Sequence, residues 1–122
     1  MAAPHLQLGK AGEGAAVAFL RQRGCEILER NYRWSRAEVD IIAFRQNLMH
    51  FVEVKTRHWQ DVEAAAESVG YKQQRRIMSA AGRYMDDAEY EGDFQFDIIV
   101  VLVDAKGQTQ IVWREDAFGF WD

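Results

Sequence analysis

Three residues of this 122-residue chain have types and spacing that could do chemistry: Asp40, Glu53 and Lys55. Asp40 lies in Glu38-Val39-Asp40-Ile41-Ile42-Ala43, and the other two lie in Phe51-Val52-Glu53-Val54-Lys55-Thr56-Arg57. Both runs have the Val, Ile and Phe content of strands, and the polar pair Gln46-Asn47 separates them. If that pair is a two-residue turn, Arg45 faces Leu48, Asp40 faces Glu53 and Glu38 faces Lys55. Opposed residues share a face of a sheet, as do residues two apart. Glu38, Asp40, Glu53 and Lys55 then gather on one face, which Ile42 and Phe51 continue. A loop one residue longer or shorter would break the arrangement. Val39, Ile41, Ala43, Val52 and Val54 are expected on the opposite face. With both faces partly apolar, the strands are expected to be central.

Two carboxylates pressed together inside a sheet repel each other unless something positive lies between them. Mg2+ or Mn2+ meets that need, because hard cations take carboxylate oxygen and water. A metal held by Asp40 and Glu53 would polarise a phosphate and activate water. The Lys55 ammonium would stabilise the developing negative charge. The same four residues also fit an exposed hairpin laced by ion pairs such as Glu38–Lys55, each contributing about 0–1 kcal/mol. The pattern alone leaves both readings open.

The hairpin needs a frame. The chain contains no repeat or low-complexity tract and a lone proline, Pro4, so residues 1–122 read as a single domain. Apolar spacing predicts a helix over 8–23, stopped by Gly24, with Gly12 and Gly14 tolerated for close packing. Strands are predicted over 25–32, 38–44 and 48–56, and a helix over 71–85. A strand buried on both faces is predicted over 94–103, then a turn and a short strand over 109–113. The order is α-β-β-β-α-β with a further β, an α/β class.

Apolar residues make up 48% of the chain and charged residues 28%, enough for a real core. The net charge of −4 weighs against strong non-specific binding to nucleic acid. A local basic rim remains compatible, since Lys10 to Arg57 holds nine bases against six acids. Lys72, Arg75 and Arg76 open the second helix and could face phosphate. Arg33, Trp34, Arg36, Arg57 and Trp59 flank the hairpin and could grip a strand by charge and stacking.

Cys25 is expected to be a buried small apolar residue, and His5, His50 and His58 lack zinc spacing. The N-terminus lacks signal-peptide character, and no apolar run is longer than that of residues 98–103, which is too short to cross a bilayer. A cytoplasmic location and no membrane partner are expected. Trp113, Phe118, Phe120 and Trp121 crowd the C-terminus, either capping the core or forming a patch for a homodimer.

The two strand runs resemble the PD-(D/E)XK nuclease motif. The chain more closely resembles the uncharacterised bacterial family often called YraN-like, similar in fold to archaeal Holliday junction resolvases. Residues 9–13 with Ala16 and Leu20, residues 27–33, residues 72–76 and Phe96-Asp97 carry the likeness. Ala37 and Gln95 depart from it. The resemblance implies a restriction-endonuclease-like core with a mixed central sheet flanked by helices. It implies Asp40 and Glu53 as metal ligands, joined by the Val54 carbonyl and by Glu13 from the first helix. Lys55 would be the catalytic lysine, Gln73 would approach the site from the second helix, and Asp97 would be structural. The expected activity is Mg2+- or Mn2+-dependent endonucleolytic cleavage of DNA, on branched or damaged forms. A catalytically silent nucleic-acid-binding or protein-interaction module on the same fold is the competing expectation.

Overall fold

A computed structural model describes residues 4–61 and 69–120. The elements run α1 (Pro4–Gln22), β1 (Glu26–Trp34), β2 (Ala37–Arg45), β3 (Leu48–His58), a short 3-10 turn (Trp59–Asp61), α2 (Tyr71–Asp87), β4 (Asp93–Val103) and β5 (Thr109–Phe118). The strands form one five-stranded sheet in sequence order, β1-β2-β3-β4-β5. β3 and β4 are parallel, and the other neighbours are antiparallel. A parallel pair needs a crossover, and α2 supplies it. The fold is therefore mixed α/β, with a helix against each face of a mixed sheet, and the predicted order holds.

Two apolar cores explain the layering. Ala16, Val17 and Leu20 of α1 pack with Cys25, Ile41, Ala43, Val52, Ile99 and Val101 on one face. Ile77, Ala80 and Ala81 of α2 pack with Ile42, Phe51, Phe96, Ile98 and Val100 on the other. β4 lies between β3 and β5 and is buried without interruption from Phe96 to Leu102, as its near-continuous apolar run predicts. Cys25 is buried, as expected.

Close approach of α1 to β3 depends on Gly12. A Cβ at that position would overlap the Thr56 hydroxyl, whereas one at Gly14 would meet nothing. The packing expectation therefore holds for one of the two glycines. The helix ends where Gly24 takes φ +84 and the amides of Gly24 and Cys25 donate back to the carbonyls of Arg21 and Leu20.

Gln46 and Asn47 both have positive φ, 53° and 61°, the signature of a type I′ turn. The register follows: Arg45 pairs with Leu48, Ile42 with Phe51 and Ile41 with Val52. The face assignment needs one correction. Ile41 and Ala43 join the α1-side core, but Val39 and Ala37 join the α2-side core. The two-residue alternation breaks at Asp40, where β2 leaves β3.

β5 reaches Phe118, beyond the predicted end at 113. Its register slips between Phe96 and Ile98, and Asp116 has φ +53. The Asp97 carboxylate accepts the Asp116 amide at 2.9 Å, which satisfies the backbone through the slip and lets the strand continue. Trp113 and Phe118 fold onto the core, and Phe120 stays 57% exposed. Trp121 lies outside the described residues. No helix among the described residues is long and apolar enough to cross a membrane.

Candidate active site

The β2–β3 ladder runs from Arg45–Leu48 to Ile41–Val52 and stops. Beyond it β2 stays paired with β1 as far as Ala37, and β3 stays paired with β4 as far as His58. The two strands fork, and Asp40 and Glu53 sit at the fork. The Val54 amide, freed from the ladder, donates to Asp40 Oδ2 at 2.8 Å. The Asp40 side chain thus replaces a lost backbone partner and is held rigidly by it.

Glu53 is 9% exposed. Gln73, from the first turn of α2, donates its amide to Glu53 Oε1 at 2.7 Å. Burial first, and then the Asp40 carboxylate, push the Glu53 carboxyl up to about 8. Asp40 is also raised, chiefly by burial, with Glu38 and Glu13 adding to the effect and the Val54 amide opposing it. The Lys55 cation opposes the rise at Glu53. Lys55 shares the α2-side face with Glu53 and Phe51, since their β4 neighbours Val100, Ile98 and Phe96 all belong to the α2-side core. Burial, then the Arg57 cation, lower its pKa, and Glu53 works in the other direction.

A groove of about 470 Å³ opens over the pair. Its walls are Arg36, Ala37, Glu38, Asp40 and Glu53 from the sheet side, and Gly70, Lys72, Gln73, Arg76 and Ile77 from α2. Val69 anchors the helix start in the core, and Gln74 donates to its carbonyl at 2.9 Å. That anchor sets Lys72 and Gln73 over the carboxylates.

The fork therefore gathers Asp40, Glu53, Val54 and Gln73, with Lys55 beside them and Arg36 and Lys72 on the groove walls. Arg76 joins them and is the lining cation that the residue-by-residue reading had set no closer than the helix start. Glu13 accepts from Asn31 at 2.9 Å and from Arg30 at 3.4 Å, and its charge acts on Asp40. Arg57 is exposed, donates to the Thr56 carbonyl at 2.8 Å and lies outside the groove lining.

A second polar cluster escaped the sequence reading. Asp97 is fully buried and accepts four donors: His50 Nδ1 at 2.7 Å, Gln95 Nε2, Trp113 Nε1 and the Asp116 amide. His50, Asp97 and Glu115 bring ligand atoms within 4.8 Å of one another. The Trp113 and Gln95 N–H groups point into that space and would oppose a cation, so the cluster reads as a lock across β3, β4 and β5. The structural role expected of Asp97 agrees. The parallel register that sets His50 beside Gln95 was the missing signal, because no local spacing reveals a pairing so distant in sequence.

Comparison with known proteins decides the family. Residues 12–101 match the model of "Uncharacterised protein family UPF0102". The chain belongs to the UPF0102 family. A UPF0102 protein of Christiangramia forsetii is 40% identical over 119 residues, covering 98% of this chain and 99% of its own length. One from Chloroherpeton thalassium is 36% identical, covering 93% and 95%. One from Dictyoglomus turgidum is 40% identical, covering 84% and 88%. The UPF0102 match spans the whole fork and α2, including Glu13, Asp40, Glu53, Lys55 and Gln73.

Proposed function

We propose that this UPF0102 chain is a metal-dependent nuclease of PD-(D/E)XK type that hydrolyses phosphodiester bonds in DNA. The fork carries the reading: two carboxylates, one from β2 and one from β3, are held together in a half-buried cleft, with Lys55 two residues from Glu53 on the same strand. Asp40 and Glu53, with the Val54 carbonyl, fit Mg2+ or Mn2+ by donor chemistry, because oxygen ligands suit hard cations. Such an ion would supply Lewis acidity and an activated water.

The chain's own residues supply the rest. The Val54 amide fixes Asp40, and the Gln73 amide fixes Glu53, so neither carboxylate has to be ordered when substrate arrives. Lys55 presents its ammonium on the same face, where it stabilises negative charge developing on a phosphate oxygen. Lys72, Arg76 and Arg36 wall the groove with positive charge that neutralises flanking phosphates. Burial raises both carboxyls, and a divalent cation between Glu53 and Asp40 would relieve their mutual repulsion.

The test is calorimetric titration of Mg2+ and Mn2+ into the wild-type chain and the Asp40→Asn variant, followed by cleavage assays on linear, single-stranded and four-way-junction DNA. Metal binding that is lost in the variant, with metal-dependent cutting by wild type only, is the expected result. Absence of metal binding and of cutting on all three substrates would sink the proposal.

A further inference from the structure

α2 has a groove on each side. The carboxylate groove takes Lys72, Gln73 and Arg76 as lining, and a second groove of about 360 Å³ takes Tyr71, Gln74, Arg75 and Met78, closed by Gly119 and Phe120. Among the described residues, the two most exposed large hydrophobic side chains are Tyr71 at 64% and Phe120 at 57%, and both line this second groove. Neither is loose. Arg75 donates to the Tyr71 hydroxyl at 3.1 Å and lies 5.7 Å from its ring centroid. Phe120 packs edge-on against Phe94 and Phe96 at 6.1 and 5.8 Å, so its ring is the surface end of the buried aromatic stack of Phe96 and Phe118. Two exposed aromatic rings, each in contact with a neighbour, and a guanidinium therefore line one slot.

We propose that this slot is a stacking subsite for an unpaired nucleobase of the strand whose phosphate lies at Asp40 and Glu53, so that the substrate is single-stranded or locally unpaired nucleic acid. The inference rests on the nuclease reading of the fork. Charge complementarity selects the occupant: the chain is acidic overall, yet each groove presents cations, Lys72 and Arg76 on one side and Arg75 on the other. A helix is about 10 Å across with its side chains, a span of a nucleotide or two. A base in a duplex keeps its faces covered by its neighbours and cannot offer them to Tyr71 or Phe120. An unpaired base can, and stacking tolerates every base because each has a π face.

The test measures binding in the presence of a chelator, so that it does not depend on cutting. A short fluorescent oligothymidine strand, the same strand with one abasic position, and a duplex of equal length are titrated with the full chain. Wild type is expected to favour the single strand over the duplex. Tyr71→Ala and Phe120→Ala should each weaken single-strand binding by about tenfold and leave duplex binding unchanged. The abasic strand should bind wild type about as weakly as the intact strand binds the variants. Equal weakening for both forms, no weakening at all, or no binding by wild type would overturn the subsite. Light scattering on the same samples separates the rival occupant: Phe120→Ala that converts a dimer to a monomer with single-strand affinity intact makes the slot a self-interface. Metal-dependent cutting by wild type is scored in parallel. Cutting without a Tyr71 or Phe120 effect keeps the nuclease and removes the subsite, whereas the stacking preference without cutting keeps the subsite and removes the nuclease.

Discussion

Asp40 does two jobs, and substitutions separate them. Its Oδ2 accepts the Val54 amide that the fork leaves without a ladder partner. Asn can still accept that bond but is a poor ligand for a hard cation. Asp40→Asn is therefore expected to keep the fold and lose metal binding. Asp40→Ala strands a half-buried N–H and should cost about 1–3 kcal/mol by urea denaturation. Equal stability of the two variants would show that Asp40 does not hold the fork. Glu53 makes the complementary case through pH. Its carboxyl is raised from an ordinary 4.5 to about 8, by burial and then by Asp40. The folded chain therefore binds more protons at Glu53 than the unfolded chain between those values. The sign follows: this contribution to stability is fully present below about 4.5 and is lost as pH rises through about 8. The metal-free protein should show a falling Tm across that window, and Glu53→Gln should flatten the fall. Mg2+ replaces the proton, so its stabilising effect should be larger near pH 8 than near pH 6. A Tm profile that is identical in wild type and Glu53→Gln would remove the carboxylate pair as the source.

At the scale of elements, the site exists because β2 and β3 part company while each keeps its outer neighbour. α1 braces that fork through Gly12, which lets the helix lie against Thr56 on β3. Gly12→Ala forces either Thr56 or the helix to move and should cost about 1–3 kcal/mol, read as a lowered urea midpoint, while Gly14→Ala should be neutral or slightly stabilising. Most of this architecture was legible in the sequence. The Gln46-Asn47 turn set the hairpin register, and with it the meeting of Asp40 and Glu53, because turn type and register are local. The near-continuous apolar run 94–103 declared a strand buried on both faces. The fork itself was not legible, because strand pairing was extended by counting to Glu38 and Lys55. Nothing in the side-chain alternation says where a ladder stops, and Val39 accordingly turned up in the other core. The Asp97 lock was hidden for a related reason. Its partners His50, Gln95, Trp113 and Asp116 come from three strands, and a buried carboxylate with four donors leaves no periodic trace. Glu13, which the resemblance draws toward the metal, accepts from Asn31, itself at φ +53 in β1, and its charge acts on Asp40.

The whole molecule carries a net charge of −4, and where that charge sits decides what the chain can bind. α2 is electrically reversed: Lys72, Arg75 and Arg76 crowd its N-terminal half, with no acid in the first turn, and Asp86 and Asp87 close it. Each end opposes the helix macrodipole, at roughly 0.3–1 kcal/mol per charge. Gly70 offers no side-chain cap in compensation. The acids continue past the helix through Glu89, Glu91 and Asp93. A polyanion approaching this molecule therefore meets attraction at one end of α2 and repulsion at the other, which orients it toward the two grooves. The footprint is small, since the groove-lining cations are Arg36, Lys72, Arg75 and Arg76. Counterion release by four such contacts on a single strand gives a slope of log K against log salt of roughly −3. Arg76→Ala should make that slope shallower by about 0.7 and weaken binding at low salt, with the same loss on every base sequence. Anisotropy titrations over a range of NaCl concentrations read both quantities. A slope near zero in the wild type would mean that no phosphates are met, and that the reversed helix only spreads its charge into solvent. A slope much steeper than −3 would require cations beyond these four, and would move the nucleic-acid path off α2 toward the exposed Arg33, Trp34 and Arg57 around the hairpin.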